Sequence, residues 1–172
     1  GVMIMQPALP EYFMQHLNLS YTELALALTL CKGIGFALTS NSWAKWMPKV
    51  NIFTSAALVP FVMILVAAAL MGAKLWLPSF YIAYLLYGVM QAGSELTWHL
   101  SGLTFADKKD SSLYTSVSVV LVGVRGLFAP SLGLWIMSLY GAISPIVAGA
   151  LLCLGSMVMM LSQVKARKAV SA

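Results

Sequence analysis

Long runs of apolar residues alternate with short polar or charged segments along this chain. The longest runs occupy residues 21–42, 52–71, 78–105, 113–138 and 142–161. Each has the length of roughly 20 residues that a helix needs to cross the hydrocarbon core of a bilayer. Since a helix satisfies its own backbone hydrogen bonds in lipid, the pattern predicts an all-α, polytopic membrane helical bundle.

The first apolar stretch, residues 1–14, is shorter than the others and contains Pro7 and Pro10. It is too short to cross a bilayer as a helix of its own, so we interpret it as the end of a helix whose beginning is missing from this chain. Ser20 and Glu23 follow with the Ser-x-x-Glu spacing of a capping box, which predicts the start of the next helix. The whole chain, residues 1–172, is therefore expected to form a single transmembrane domain.

The composition agrees with a membrane protein. Of the 172 residues, 60% are hydrophobic and 9% are charged, whereas a soluble domain has about 25% charged residues. The net charge of +5 could suggest a nucleic-acid partner. The basic residues, however, are scattered between the apolar runs and do not cluster on one face, so we expect membrane lipid and no nucleic acid as a partner.

The basic residues also orient the predicted spans. Most of them lie in alternate loops and in the basic tail at 162–172: Lys45, Lys49, Lys108, Lys109, Lys165, Arg167 and Lys168. The opposite loops contain only Lys74. Because Lys and Arg are enriched on the cytoplasmic side, the C-terminus is predicted to be cytoplasmic.

Three charged residues fall inside the spans, namely Lys32, Glu95 and Arg125. Burial of a charge in hydrocarbon costs roughly 2.5 kcal/mol or more, so such residues usually face a cavity or a partner. Gln91, Glu95 and His99 are spaced by four residues and therefore share one helix face. This polar face is the candidate site for substrate binding or proton coupling, together with Lys32 and Arg125.

These charges have structural interpretations as well. An ion pair of Glu95 with Arg125 or with Lys32 could simply join two helices. Arg125 precedes Gly126, so its guanidinium could instead brace a close helix crossing. His99 lies near the end of its span, where an ordinary hydrated histidine is the alternative to a member of a proton path.

A functional Glu95 would exchange protons. Our hypothesis is that Glu95 alternates between a salt bridge and a protonated form and so couples proton movement to transport. Two buried cations against one buried acid favour an anionic or zwitterionic small-molecule substrate.

Glycines and tryptophans give further expectations. Trp43 and Trp46 are predicted at the level of the membrane interface. Paired glycines are expected to permit close helix approach: Gly33, Gly35, Gly88, Gly93, Gly123, Gly126, Gly149 and Gly155.

Enzyme signatures are absent from the sequence. It contains neither a His-Glu-x-x-His motif nor a phosphate-binding Gly-x-x-x-x-Gly-Lys-Ser/Thr loop. Its two histidines, His16 and His99, are far apart in the chain. We therefore expect no enzymatic activity, no cofactor and no metal site.

One segment, "TWHLSGLTFADKKDSSLYTSVSVVLVGVRGLFAPSLG", resembles part of a known family. It is similar to the tenth helix, inner loop and eleventh helix of bacterial major facilitator superfamily (MFS) transporters. The matching residues are Trp98, Phe105, Ala106, Arg125, Gly126, Ala129 and Pro130. With the number and orientation of the spans, the resemblance extends over the whole chain as helices seven to twelve, the seventh being incomplete.

This resemblance implies a fold and a function. The fold would be an MFS-like six-helix half built from two inverted three-helix units. The chain would be the C-terminal half of a secondary active transporter, a symporter or antiporter of the bacterial inner membrane working by alternating access. Its main partner would be the missing N-terminal half. The segment "SNSWAKWMPK" departs from the family pattern because it lacks the usual acidic residue, and a truncated, non-transporting scaffold protein is the alternative.

Overall fold

The computed structural model describes the backbone of residues 1–106 and 112–170 and the side chains of residues 1–100 and 116–165. In this part of the chain the regular secondary structure is entirely helical, which confirms the all-α prediction. The charged turn that contains Lys108 and Lys109 lies outside the described residues.

Six helical segments follow one another, and the first two are irregular. Helix α1 consists of Val2–Met5, a 3-10 turn Gln6–Ala8 and Leu9–His16. Helix α2 consists of Tyr21–Leu26, a π-helical segment Ala27–Cys31, Lys32–Trp46 and a 3-10 turn Met47–Lys49.

The other four helices are continuous. Their bounds are α3, Ile52–Gly72; α4, Pro78–Ala106; α5, Ser112–Tyr140; and α6, Ser144–Val170. Helix α6 extends into the basic segment after residue 161, which the sequence analysis treated as a tail.

Local signals explain several helix ends. The Ser20 hydroxyl oxygen accepts from the Glu23 N–H at 3.3 Å, and the Glu23 carboxylate accepts from the Ser20 N–H at 2.8 Å. This capping box was predicted from the sequence and is confirmed. Asn51 caps α3 in a similar way, since its side-chain oxygen accepts from the Phe53 N–H. Between α5 and α6 the chain turns at Gly141, whose φ of +83° favours glycine.

Four helices of the described part are long and apolar enough to cross a membrane: Tyr21–Lys49, Ile52–Gly72, Ser116–Tyr140 and Ser144–Lys165. Helix α4, with 29 residues, is also long enough, but its tyrosines and its polar residues make it less apolar than these four. The chain is therefore compatible with a multi-pass membrane protein.

The short helix α1 lies in the main core of the bundle. Met5, Tyr12 and Phe13 are each about 1% exposed and belong to one cluster with residues of α3, α4 and α6. The Phe13 ring packs edge-to-face on Phe80 of α4 with 5.0 Å between the ring centroids. The Tyr12 hydroxyl donates to the Leu70 carbonyl of α3 at 3.2 Å. The segment interpreted as a helix remnant is thus a central part of this fold.

The helix contacts have an internal symmetry. Helices α2 and α3 pack on α4, helices α5 and α6 pack on α1, and α3 packs on α6. Exchanging α1 with α4, α2 with α5 and α3 with α6 maps these contacts onto one another. The equivalence is confined to these main contacts, since α5 also packs on α6 and on α4. The main contacts therefore relate the first three helices, α1–α3, to the last three, α4–α6.

Glycines occur at two equivalent crossings, that of α2 with α4 and that of α5 with α1. A Cβ atom at Gly35 of α2 would overlap the Leu85 carbonyl of α4, and one at Gly88 would overlap the Lys32 carbonyl. At the other crossing a Cβ atom at Gly133 of α5 would overlap the Ile4 carbonyl of α1. At these crossings the backbones approach each other too closely for any side chain.

The prediction that paired glycines mark close crossings is correct at Gly35, Gly88, Gly93 and Gly149. At the other four, Gly33, Gly123, Gly126 and Gly155, an added Cβ atom would meet no described atom within 4 Å. Trp43 is 7% exposed and its ring packs against Gly93, so it takes part in the packing of α2 on α4.

Replacing Phe13 by alanine should strongly destabilise the bundle. The change leaves a cavity between α1 and α4, and large-to-small substitutions of buried Phe cost about 3–5 kcal/mol. The measurement is the free energy of unfolding of the purified chain in detergent micelles. Met14→Ala is the control, because Met14 is 44% exposed and surface changes cost about 0.5 kcal/mol or less. Equal effects of the two substitutions would contradict the central position of α1.

Candidate functional site

A stripe of polar side chains runs along α4. Tyr84, Tyr87, Gln91 and Glu95 are spaced by three or four residues, so they lie on one face of the helix, and His99 continues the row by another turn. From the sequence we predicted Gln91, Glu95 and His99 but not the two tyrosines. Tyr87 and Tyr84 precede Gln91 by four and seven residues, and this helical spacing could have indicated them.

Glu95 pairs with His99 on its own helix. The Glu95 Oε2 and His99 Nε2 atoms are 4.0 Å apart, and the two side chains are 54% and 75% exposed. Within the described side chains, no ion pair joins Glu95 to Lys32 or to Arg125. In this structure Glu95 therefore pairs within its own helix, and its carboxyl group stands at an open surface.

Arg125 of α5 lines the same groove as Glu95. This groove, of about 370 Å³, runs between α4 and α5, with Ser94 and Trp98 on one wall and Val119 and Val122 on the other. The guanidinium is exposed and makes no hydrogen bond or ion pair with the described residues. The Glu95 carboxyl group and the Arg125 guanidinium thus line one open groove without forming an ion pair with each other.

The bracing role considered for Arg125 is not observed. That role requires a close crossing at Gly126, whereas a Cβ atom there would meet no described atom within 4 Å. On its other side, Arg125 borders a second open groove, of about 640 Å³, with Ile4 of α1 and Trp135 of α5. Arg125 therefore lies on the surface of α5 between two grooves.

Lys32 of α2 is oriented by an aromatic ring. Its ammonium group lies over the Tyr87 ring of α4, 5.2 Å from the ring centroid, which is a cation–π geometry. The residue is partly buried and follows directly after the π-helical segment Ala27–Cys31. The extra backbone width of a π segment shifts the side chains after it, and such segments often occur at functional sites.

Gln91 lies between the tyrosines and Glu95. Its side-chain oxygen is buried and has no hydrogen-bond partner. A buried acceptor without a donor is costly, so this oxygen is a place where a water molecule or a donor group of a bound solute would be stabilised.

A partly enclosed cavity lies next to the tyrosines and was not expected from the sequence. It has a volume of about 170 Å³ and lies between α1, α2, α3 and α4. Its walls are mostly apolar, and Gln6, Tyr84 and Tyr87 supply polar atoms. No single sequence motif could have indicated it, because its walls come from four separate segments.

The structure thus divides the predicted site into two parts along α4. Glu95 and Arg125 line the groove, with His99 beside Glu95, whereas Lys32 of α2 lies beside Tyr87 at the partly enclosed cavity. Gln91 lies on α4 between the two parts. Comparison of the chain with protein-family models, with curated proteins and with solved structures finds no match.

Proposed function

We propose that this chain is the C-terminal six-helix half of a secondary active transporter of the major facilitator type, which moves a small solute across a bacterial inner membrane by alternating access. The observation that carries the proposal is the equivalence of the main helix contacts when α1–α3 are exchanged with α4–α6. Since three helices joined by short turns end on the side opposite to their start, the two sets of three helices would have inverted orientations in a membrane.

Three further features support the proposal. Glycine-based crossings allow helices to slide and rock at close range. The polar face of α4 offers Glu95 to an open groove, as a solute pathway requires. The resemblance of the segment around Trp98 and Arg125 to facilitator helices points in the same direction. The proposed orientation places the C-terminus in the cytoplasm, in accordance with the distribution of lysine and arginine.

The proposed function also includes an upstream half. The groove between α4 and α5 and the exposed apolar surface of α5 are the parts of this bundle that the other half would cover.

Alternating access can be tested without knowing the solute. The experiment uses the chain joined to the upstream half, with Cys31 and Cys153 replaced by alanine and Ser94 replaced by cysteine. Because Ser94 lines the groove, a membrane-impermeant thiol reagent should label it from both sides, as shown in right-side-out and in inverted vesicles.

Two cysteine variants serve as controls. Ser55→Cys, at a position 2% exposed in the core, should not be labelled, and Leu75→Cys, at a position 93% exposed in the turn after α3, should be labelled from one side only. Labelling of Ser94→Cys from a single side would contradict alternating access and favour a non-transporting protein.

A further inference from the structure

The cavity between α1, α2, α3 and α4 has the size of a small ligand site. Its volume is about 170 Å³, and an apolar protein cavity of about 150 Å³ is known to accommodate a benzene molecule. The apolar walls include Leu24 and Leu28 of α2 and Phe13 of α1. A single aromatic ring or a short acyl segment is therefore the largest apolar group that this space accommodates.

The polar residues at the cavity are Gln6, Tyr84 and Tyr87. The Gln6 side chain is hydrogen-bonded to Tyr87, and tyrosine hydroxyls can donate to a ligand. Beside the cavity, the Lys32 ammonium lies over the Tyr87 ring, which itself lines the cavity. No aspartate or glutamate is among the described residues that line this cavity. An anionic acceptor group therefore matches these surroundings better than a cation.

Helix α2 connects the apolar and the cationic part of this site. Leu24, Leu28 and Lys32 are spaced by four residues, and Leu28 lies within the π-helical segment Ala27–Cys31. Two leucines of this row line the cavity, and the lysine follows one turn later. An apolar body held at the leucines can therefore place a charged end toward Lys32.

From this arrangement we infer that the chain contains a binding site for a small organic anion, whose apolar body fills the cavity and whose carboxylate interacts with Lys32 and the neighbouring tyrosine. The site is separate from the groove that contains Glu95 and Arg125. If the proposed transport function is correct, this inference also names the class of solute. Because binding is measured without transport, failure of the binding inference can be distinguished from failure of the proposed transport function.

Binding to the 172-residue chain can be measured in phosphatidylcholine nanodiscs with radiolabelled benzoate as the probe. Saturable binding is expected, with empty nanodiscs giving the background of partition into lipid. Hexanoate is tested as a competitor of benzoate, to distinguish an acyl body from an aromatic one. Displacement of benzoate by hexanoate would show that the site also binds short acyl acids. Absence of saturable benzoate binding would overturn the inference.

Two substitutions test the two parts of the site. Leu28→Phe should fill the cavity and weaken benzoate binding about tenfold or more. Leu30→Phe is the matched control, because Leu30 is on the same helix, is 55% exposed and does not line the cavity. An effect of Leu30→Phe equal to that of Leu28→Phe would show that the ligand does not occupy this cavity.

Lys32→Gln should weaken benzoate binding about tenfold, because a charge-assisted hydrogen bond is lost. The affinity for neutral benzamide should stay within about twofold, which also shows that the variant is folded. Lys45→Gln, at the other end of α2, is the matched control and should leave both affinities unchanged. Equal losses for benzoate and benzamide in Lys32→Gln would contradict the role of the charge.

Discussion

Replacing Glu95 by glutamine is expected to abolish solute uptake driven by a pH gradient while counterflow continues. Glutamine has the shape of glutamate but cannot bind and release a proton. Counterflow exchanges solute for solute and needs no net proton movement, so a variant that only lacks the proton carrier should retain it. The expected loss is complete because Glu95 is the acidic side chain on the polar face of α4.

The structure gives this prediction a geometric basis. Glu95 is 54% exposed at the groove and has only a long contact, 4.0 Å, with His99. Arg125 lines the same groove without pairing with it. The Glu95 carboxyl group is therefore open to the groove and is not held by a cation of another described helix segment.

Transport by the Glu95→Gln variant is measured in proteoliposomes that contain the chain joined to its upstream half. The control is Glu23→Gln, because glutamine can also complete the capping box at the start of α2 and Glu23 is remote from the groove. If the Glu95→Gln variant takes up solute as well as the unchanged protein does, Glu95 does not take part in proton coupling. Loss of both uptake and counterflow would indicate that Glu95 binds solute or supports the structure.

Replacing Gly35 by alanine should disrupt the crossing of α2 and α4. The added methyl group would overlap the Leu85 carbonyl, and a backbone atom cannot rotate away as a flexible side chain could. Overpacking typically costs about 1–3 kcal/mol. The effect at this crossing should reach or exceed the upper end of that range, because two rigid helices must separate.

The control for this change lies two residues away. Gly33 is on the same helix, and a Cβ atom there would meet no described atom within 4 Å. Gly33→Ala should therefore be neutral or stabilise the helix by up to about 1 kcal/mol. Unfolding of both variants in detergent micelles, followed by circular dichroism, measures the difference. Similar stability of the two variants would show that the helices do not cross closely at Gly35.

Local features of the fold could be predicted from the sequence. The capping box of Ser20 and Glu23 depends only on residues three positions apart, and the apolar runs depend only on composition. The common face of Gln91 and Glu95 follows from helix periodicity alone. These features need no knowledge of which helices are neighbours.

The contacts between helices could not be predicted in the same way. Lipid chains are as apolar as leucine, so an apolar residue that faces lipid and one that faces another helix look alike in the sequence. This is why the central position of Phe13 and the buried position of Trp43 were missed. The pairing of Glu95 with His99 in place of Arg125 likewise depends on the spacing between α4 and α5, which no residue pattern specifies.

The contact of α1 with α6 has a consequence for biosynthesis. Met5 packs against the backbone at Gly149, so α1 finds part of its packing only in α6, which is made after the other helices described here. Membrane insertion of the earlier helices can precede this step, but folding of the bundle cannot be completed before it. During translation the face of α1 around Met5 therefore stays unpacked until α6 has been made.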